Sequence, residues 1–287
     1  MDKMKIGIAA SSGTFKGVFI HGVLTQFEEE RFFADIYASS SSSLISCSMA
    51  ATRQSSETGV DYWIETLTNT HNGIGMSSVV LASIEKYSPQ IKKKLFNKRS
   101  SRLLIATSFV KNSDAALITQ GDRYKNLGRR LLISSLKKDS SWVDENLDKT
   151  IFDTHSKSTG MILNTDNYDE VAYASTRMLH AWDIPAWIGG KPFIDGSYTC
   201  SCPAYELSEE CTNVIAIGVE KKQLFTSIFQ KREIIDESND TFNISIIKPD
   251  FDLREIGVDY LTAEISGLRR AYDHGRDCAK RFLDNME

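Results

Sequence analysis

Residues 34–47 read ADIYASSSSSLISC, so five consecutive serines separate two segments of different character. The apolar residues before the serines predict a buried strand, and residues 41–52 predict a helix. A serine in such a strand-to-helix turn can be exposed as a nucleophile, in the arrangement called a nucleophile elbow. A serine run by itself is typical of a solvated loop, and here the flanking segments favour the elbow.

The elbow pattern G-x-S-x-G has small residues two positions before and after the serine, where strand and helix pack closely. The window Ala38, Ser39, Ser40, Ser41, Ser42 has no glycine, but its ends carry the next smallest side chains. This register predicts Ser40 as the nucleophile, and a slip of one residue would select Ser39 or Ser41. The Oγ would lie at a helix N-terminus, where free N–H groups and the helix dipole favour negative charge.

The segments around the elbow repeat the order of strand, turn and helix. Further strands are predicted at 5–10, 102–110, 191–197, 213–220 and 244–250, and helices at about 18–30, across most of 56–96 and at about 258–286. This order predicts an α/β fold with a mainly parallel sheet.

Composition places the 287-residue chain among ordinary globular proteins, with 41% hydrophobic and 25% charged residues. It has no apolar run near the roughly 20 residues that a membrane span needs. The N-terminus lacks the apolar stretch of a signal peptide, and five scattered cysteines indicate a reducing compartment. We therefore expect a cytoplasmic protein that can associate peripherally with a membrane.

The net charge of −4 is unevenly distributed. Residues 92–138 contain 13 Lys and Arg against two acids, which gives +11 and leaves −15 for the rest of the chain. Such a segment predicts attraction to an anionic partner, and an acidic acyl carrier protein and an anionic membrane surface both fit. We expect no nucleic acid partner.

The first 50 residues resemble the opening of the patatin-like acyl hydrolases, which have a strand, a G-G-x-R-G turn, a helix containing G-V-L, and then a strand leading into the elbow. Gly13, Lys16 and Gly17 match the turn, residues 22–24 match the helix, and Leu44 matches the leucine after the elbow.

A second block, residues 173–207, is similar to the family's downstream block. The Ala174-Ser175 pair, Pro185, the Asp195-Gly196 pair and Pro203 occur in the family's order. Residues 213–219 follow as the next strand, and residues 274–284 resemble the closing helix. The resemblance covers nearly the whole chain and is weakest between about 55 and 150.

The resemblance implies a three-layer α/β/α sandwich, formed by one domain over 1–287 with a helical, basic cap at about 56–150. It also implies a Ser-Asp dyad in which Ser40 attacks an acyl carbonyl and Asp195 is the general base. Backbone N–H groups of Ser12, Gly13 and Thr14 would form the oxyanion hole. Gly196 would let the backbone pass close to Ser40. No cofactor and no metal are expected.

The chain departs from the family pattern where glycine is usual. Before the Lys16-Gly17 pair only Gly13 remains in the turn, Lys16 replaces arginine, and Ser197 replaces a second glycine after the aspartate. A β-carbon in the left-handed region costs on the order of 1–2 kcal/mol. If Ser12 or Thr14 adopts that conformation, the hole is reshaped or weakened, although its N–H donors remain.

Other conspicuous residues have simpler interpretations. Cys200 and Cys202 form a lone C-x-C without the partner pair of a zinc site, so we expect packing and no metal. His21 is expected at a helix surface or boundary, and His180 is the histidine nearest in sequence to the second block. Lys16 is expected to be a turn and helix-start residue, and Trp182 and Trp187 are expected to pack in the core. The same three residues are candidates for substrate binding, Lys16 by steadying an anion and the two tryptophans by lining an acyl pocket.

Three functions are consistent with these observations. The first is a serine hydrolase of lipid acyl esters, like a phospholipase A or lysophospholipase. The second is an acyltransferase or thioesterase acting on acyl carrier protein or coenzyme A thioesters. The third is a family member that binds an acyl ligand but has lost catalysis through its glycine-poor turn.

Overall fold

A mostly parallel β-sheet forms the centre of the protein in a computed structural model that describes residues 5–156, 161–229, 234–237 and 243–286. The strands are β1 (Ile6–Ala10), β2 (Ile36–Ser40), β3 (Arg102–Val110), β4 (Leu147–Asp153), β5 (Met161–Ile162), β6 (Trp187–Ile188), β7 (Lys191–Asp195), β8 (Asn213–Ile217) and β9 (Asn243–Ile247). Their order across the sheet is β5-β4-β3-β2-β1-β8-β9, and β7 pairs with β3 and with β6.

Five adjacent strands, β3, β2, β1, β8 and β9, run parallel. β4 and β7 are both antiparallel to β3, and β5 is parallel to β4. The α/β fold with a mainly parallel sheet is confirmed, and it is consistent with a three-layer sandwich.

The central strands are apolar on both faces, as expected of parallel strands covered on both sides. In β1, Ile8 and Ala10 join the larger core, whereas Ala9 joins the core on the opposite face. In β2, Tyr37 belongs to the larger core and Ala38 to the smaller one. This alternation lets each strand contribute to two cores.

The helices are α1 (Gly17–Glu29), α2 (Ser43–Ala51), α3 (Ser55–Thr58), α4 (Asp61–His71), α5 (Met76–Leu95), α6 (Ser113–Gln120), α7 (Tyr124–Leu136), α8 (Ser141–Asn146), α9 (Tyr168–Thr176) and α10 (Ile265–Asp284). α1 and α10 pack so closely that a β-carbon on Gly22 would lie 2.0 Å from the carbonyl oxygen of Tyr272. The glycine therefore sets the separation of these two helices. Among the described residues, none of the helices combines the length and the apolar character needed to cross a bilayer.

The smaller core is covered by irregular chain rather than by a long helix. Cys202, Ala204, Leu207 and Cys211 pack there against Ala216 of β8. All five cysteines are buried and carry free thiols. The cysteines of the C-x-C pair thus belong to a packed layer next to the sheet.

The predicted strands 191–197, 213–220 and 244–250 end two or three residues earlier in the structure, and two larger differences concern the last helix and the range 56–150. The last helix begins at Ile265 rather than near residue 258, because Val258 and Ala263 pair as an antiparallel bridge. The range 56–150 is not one cap, since β3 lies within it and pairs with β2 and β4 at the centre of the sheet.

Candidate active site

The long strand β3 brings together two chain segments that are distant in sequence. β2 runs parallel to β3 and ends with Ser40 opposite Ala106. β7 runs antiparallel to β3 and ends with Asp195 opposite Thr107. The two strand ends therefore meet at neighbouring residues of β3, and whatever follows Ser40 lies beside Asp195.

Ser41 is the residue that meets Asp195. Its Oγ donates a hydrogen bond of 2.7 Å to Asp195 Oδ2. The Ser40 hydroxyl instead donates to the carbonyl oxygen of Cys200 at 2.6 Å. The predicted contact between Ser40 and Asp195 is thus wrong by one position, because Ser40 still belongs to the strand and the turn begins after it.

The other predicted elbow residues take separate positions. Ala38 is a buried residue of β2, and Ser39 donates from Oγ to the carbonyl oxygen of Leu104 on β3. Ser42 is the N-cap residue of α2, and its buried hydroxyl has no hydrogen-bond partner among the described residues. Ser43, which the sequence analysis did not single out, donates from Oγ to the carbonyl oxygen of Ala10 and accepts from the Ser40 N–H.

Ser175, a buried serine outside the serine run, forms a hydrogen bond with the elbow, and the sequence did not predict this role. Its Oγ accepts the hydrogen bond of the Ser41 backbone N–H. The only sequence signal for it was its place in the Ala-Ser pair of the family's second block.

Asp195 is fully buried and hydrogen bonded on both carboxylate oxygens. Oδ2 accepts from Ser41, and Oδ1 accepts from the backbone N–H of Ser197 at 2.8 Å. Burial raises the pKa of Asp195 to about 6, against the opposing effect of hydrogen bonds from Ser197 and Ser41. A carboxylate with such a pKa is a better general base near neutral pH than an ordinary aspartate.

Gly196 fits a space that no other residue could occupy. A β-carbon at this position would lie 2.2 Å from the carbonyl oxygen of Ala106 and 2.9 Å from Ser40 Oγ. The glycine therefore permits the close approach between the end of β7 and the elbow that the sequence led us to expect.

The turn after β1 supplies two free backbone donors rather than three. The Ser12 N–H is already bonded to the carbonyl oxygen of Ser201 at 2.8 Å, so Ser12 does not fit its predicted place in the oxyanion hole. Neither the Gly13 N–H nor the Thr14 N–H has a hydrogen-bond partner within the described part of the chain. Thr14 lines the same cavity as Ser41.

Backbone strain also marks this site. Five described non-glycine residues have positive φ, and three of them, Arg31, Arg53 and Lys138, follow helix C-termini, where the left-handed conformation is common. The other two are Thr14, at φ 47°, and Ser41, at φ 57°. For β-branched Thr14 this conformation is a genuine outlier, and such outliers cluster at functional sites.

A mostly apolar cavity opens from Ser41. Leu44 and Ile45 of α2, Met76 and Ile84 of α5, and Trp182 contribute to its lining. Trp182 is 4% exposed, belongs to the larger core and lines the cavity, so its position is consistent with both core packing and substrate binding. Trp187 is 46% exposed on β6, which pairs with β7, and Trp187 is absent from the lining.

Lys16 does not face the cavity. Its side chain is 1% exposed, and its Nζ donates to Glu220 Oε1 at 2.7 Å and lies 4.7 Å from the ring centre of Tyr260. The carbonyl oxygen of Tyr260 in turn accepts the Phe15 N–H. Lys16 thus anchors the turn that carries Gly13 instead of contacting substrate there.

Histidine takes no part in the contacts of the Ser41–Asp195 pair. His180 makes no hydrogen bond to either residue. His21 is buried rather than at a helix boundary. Its Nδ1 accepts the Trp63 Nε1–H at 3.0 Å, and its Nε2 bonds the Ser55 carbonyl oxygen. Burial lowers the pKa of His21 to about 4, so the ring is neutral.

One group of metal-ligand types occurs elsewhere in the described chain, at Asp250, His274 and Cys278. His274 Nε2 already accepts the Asp250 backbone N–H at 3.1 Å. Arg281 Nη2 donates to Asp250 Oδ2 at 2.6 Å and to Cys278 Sγ at 3.2 Å. Since the guanidinium occupies the place of a cation, we assign no metal to this group.

The chain was compared with protein-family models and with curated proteins. No protein-family model matches the chain, and no curated protein matches it. Function is therefore argued from the geometry of the site.

Proposed function

We propose that this protein is a serine acyl hydrolase whose nucleophile is Ser41 and whose general base is Asp195. The observation that carries the proposal is the 2.7 Å hydrogen bond from the strained Ser41 to a buried carboxylate. A serine hydroxyl is a weak nucleophile until a base accepts its proton, and this contact provides the base.

In the first half of the reaction, Ser41 Oγ attacks the acyl carbonyl carbon while its proton passes to Asp195. The negative charge that develops on the carbonyl oxygen is stabilised by the free N–H groups of Gly13 and Thr14, and the N-terminus of α2 adds a favourable dipole. The tetrahedral intermediate then breaks its bond to the leaving alcohol. Asp195 returns the proton to that alcohol, and an ester on Ser41 remains.

In the second half, water attacks the acyl group on Ser41 and gives a proton to Asp195. The new intermediate breaks its bond to Ser41 Oγ, which recovers the proton, and the carboxylic acid leaves. One carboxylate thus acts as base and then as acid in each half-reaction, without histidine.

The proposed substrates are lipid acyl esters, such as phospholipids or lysophospholipids. The cavity beside Ser41 suits an acyl chain, because most of the surface that its lining exposes is apolar. The resemblance of the two sequence blocks to patatin-like acyl hydrolases supports the same substrate class.

Covalent labelling with a fluorophosphonate tests the nucleophile. We expect labelling of the wild type and of Ser42→Ala, which removes an adjacent hydroxyl without a partner, and no labelling of Ser41→Ala. Ser40→Ala should still be labelled at Ser41. An unlabelled wild type, or a labelled Ser41→Ala protein, would contradict the proposal.

Transfer to another acceptor would use the same ester on Ser41, so an acyltransferase or thioesterase shares this first half-reaction. A p-nitrophenyl ester, a phospholipid and an acyl thioester, compared as substrates of the wild type, distinguish these activities. We expect the oxygen esters to react faster than the thioester. The inactive acyl-binding alternative predicts no turnover and no labelling.

A further inference from the structure

Helix α7 exposes apolar side chains that the core does not use. Leu127 and Leu131 are buried beneath the helix. On its outer side, Leu132 is 36%, Ile133 53% and Leu136 85% exposed, and the neighbouring Leu117 of α6 is 69% exposed. Contiguous apolar exposure of this kind marks an interaction surface rather than an ordinary protein surface.

The same helix carries cations without partners. Six basic residues in and beside α7 are exposed, and none forms an ion pair with another described residue: Arg123, Lys125, Arg129, Arg130, Lys137 and Lys138. Earlier in the basic segment, several charges are neutralised within the protein, as in the ion pairs Lys92–Asp169, Lys94–Glu57, Arg102–Asp153 and Lys111–Asp148. Of the nine basic residues of 92–138 without an ion pair to another described residue, six therefore lie in or beside α7, and the other three are Lys93, Lys98 and Arg99.

Helical spacing places exposed apolar and basic side chains of α7 on the same face of the helix. Arg129, Ile133 and Leu136 follow at i, i+4 and i+7, which places them on one face. That face is opposite to Leu127 and Leu131. We call these outward residues, with Leu132, Arg130, Lys137 and Leu117, the α7 surface.

We propose that the α7 surface docks the protein on an anionic lipid bilayer. Apolar tips can enter the boundary between headgroups and acyl chains, while arginine and lysine stems lie alongside and their charges meet lipid phosphates. An acidic protein would pair with the arginine and lysine charges of the α7 surface, but it would not explain why the apolar side chain of Leu136 is exposed. The combination of exposed apolar and cationic groups favours the bilayer.

The inner side of α7, opposite to the α7 surface, packs against the turn that leads to Trp182. A β-carbon on Gly128 of α7 would be 2.4 Å from the backbone nitrogen of His180. Trp182, two residues further along, lines the cavity beside Ser41. Docking through α7 would hold this turn near the bilayer, although binding itself does not require Ser41 to be catalytic.

Co-sedimentation with vesicles of phosphatidylcholine, with and without added phosphatidylglycerol, tests the proposal. We expect the wild type to bind the anionic vesicles preferentially. Arg129→Gln/Arg130→Gln should bind about 30-fold more weakly, at about fivefold for each lost charge. Ile133→Ser/Leu136→Ser should lose at least about tenfold, because apolar burial in the interface is removed.

Matched controls lie on and before α10. Arg269→Gln/Arg270→Gln removes another adjacent pair of exposed arginines, and Leu261→Ser/Ile265→Ser removes two side chains that are 43% and 48% exposed. Both controls should bind as the wild type does. Ser41→Ala should also bind normally, which separates docking from the proposed catalysis.

Three results would overturn the proposal. The first is a wild type that does not bind anionic vesicles. The second is that the control variants weaken binding as much as the α7 variants do. The third is that Ile133→Ser/Leu136→Ser binds normally while Arg129→Gln/Arg130→Gln does not. The last result would indicate purely electrostatic docking, as expected for an acidic carrier protein.

Discussion

The Ser175 hydroxyl donates to the carbonyl oxygen of Ala106 at 2.8 Å, on the β3 residue that also pairs with Ser40. The same oxygen of Ser175 accepts the backbone N–H of Ser41 at 3.1 Å. Ser175 therefore ties the strained elbow to the central strand. Its position explains how Ser41 keeps a left-handed backbone without a glycine.

Ser175→Ala should lower the free energy of unfolding by about 1–3 kcal/mol, because it leaves the buried Ser41 N–H without a partner. Urea denaturation measures this change. Ser46→Ala is the matched control, since the Ser46 hydroxyl is equally buried but has no partner among the described residues. It should be neutral or stabilising, and equal losses in the two variants would refute a specific role for Ser175.

Activity should rise with pH through a midpoint near 6. Burial raises the pKa of Asp195 to about 6, and only the deprotonated carboxylate can accept the Ser41 proton. A pH profile of kcat/KM for a soluble ester measures the midpoint. A midpoint near 4, the ordinary value for aspartate, would show that Asp195 is not the titrating base.

Stability should depend on pH differently in Asp195→Asn. Between pH 3.8 and about 6, the folded state holds a proton on Asp195 that the unfolded chain has released. The contribution of Asp195 to the free energy of unfolding therefore falls as pH rises through this range. His21, with its pKa lowered to about 4 from 6.5, has the opposite effect, because only the unfolded chain binds that proton. The two contributions oppose each other in the wild type.

Removing Asp195 should therefore reveal the His21 contribution. Between pH 4.5 and 5.5, the unfolding free energy of Asp195→Asn should rise with pH more steeply than that of the wild type, by about 1.4 kcal/mol per pH unit. Urea denaturation across this range measures both slopes. Parallel slopes would mean that the pKa of Asp195 is not raised in the folded protein.

Thr14→Gly should stabilise the protein by up to about 1 kcal/mol, because glycine adopts positive φ without the penalty of a β-carbon. The backbone N–H remains, so esterase activity should be retained. Thr262→Gly is the control, since Thr262 is exposed and does not have positive φ. The Thr262→Gly variant should be less stable than the wild type, because glycine makes the unfolded chain more flexible. A similar loss of stability in Thr14→Gly would contradict the backbone strain assigned to Thr14.

Gly196→Ala should be destabilised by about 3 kcal/mol or more, because the new methyl group would meet backbone of β3 that cannot move aside. Gly75→Ala has no atom within 4 Å of its new β-carbon and should change stability by at most about 0.5 kcal/mol. Thermal unfolding of both variants measures the difference. A well-folded Gly196→Ala protein of wild-type stability would show that β7 and the elbow are less closely packed.

Much of the fold was predictable because the signals are local. Buried parallel strands need continuous apolar runs, and residues 102–110 and 213–217 have them without ambiguity. The start of α10 was placed too early, because the polar and apolar spacing before Ile265 resembles a helix but Val258 pairs with Ala263. The bridge between Val258 and Ala263 is a backbone pairing, and the spacing of polar and apolar residues does not reveal it.

The candidate site was predictable in part. The sequence singled out the serine run and Asp195, which the structure brings into contact through Ser41, and it singled out Trp182, which lines the cavity. Lys16 is a residue of the turn, as its sequence position favoured, and the alternative of a substrate contact is not supported because its Nζ pairs with Glu220, 204 positions away. An ion pair between residues so far apart cannot be inferred from the residues next to Lys16.

The sequence by itself determined the order of β1, α1, β2, α2, β3, β7, β8 and β9 along the chain, the serine run between β2 and α2, and the glycine after Asp195. These features follow from apolar spacing and from residue size. Only the tertiary structure decided which serine meets the aspartate, since five identical side chains carry no local difference. The choice of Ser41 depends on where β2 and β7 each end along β3, and that register is fixed by pairing between segments far apart in the chain.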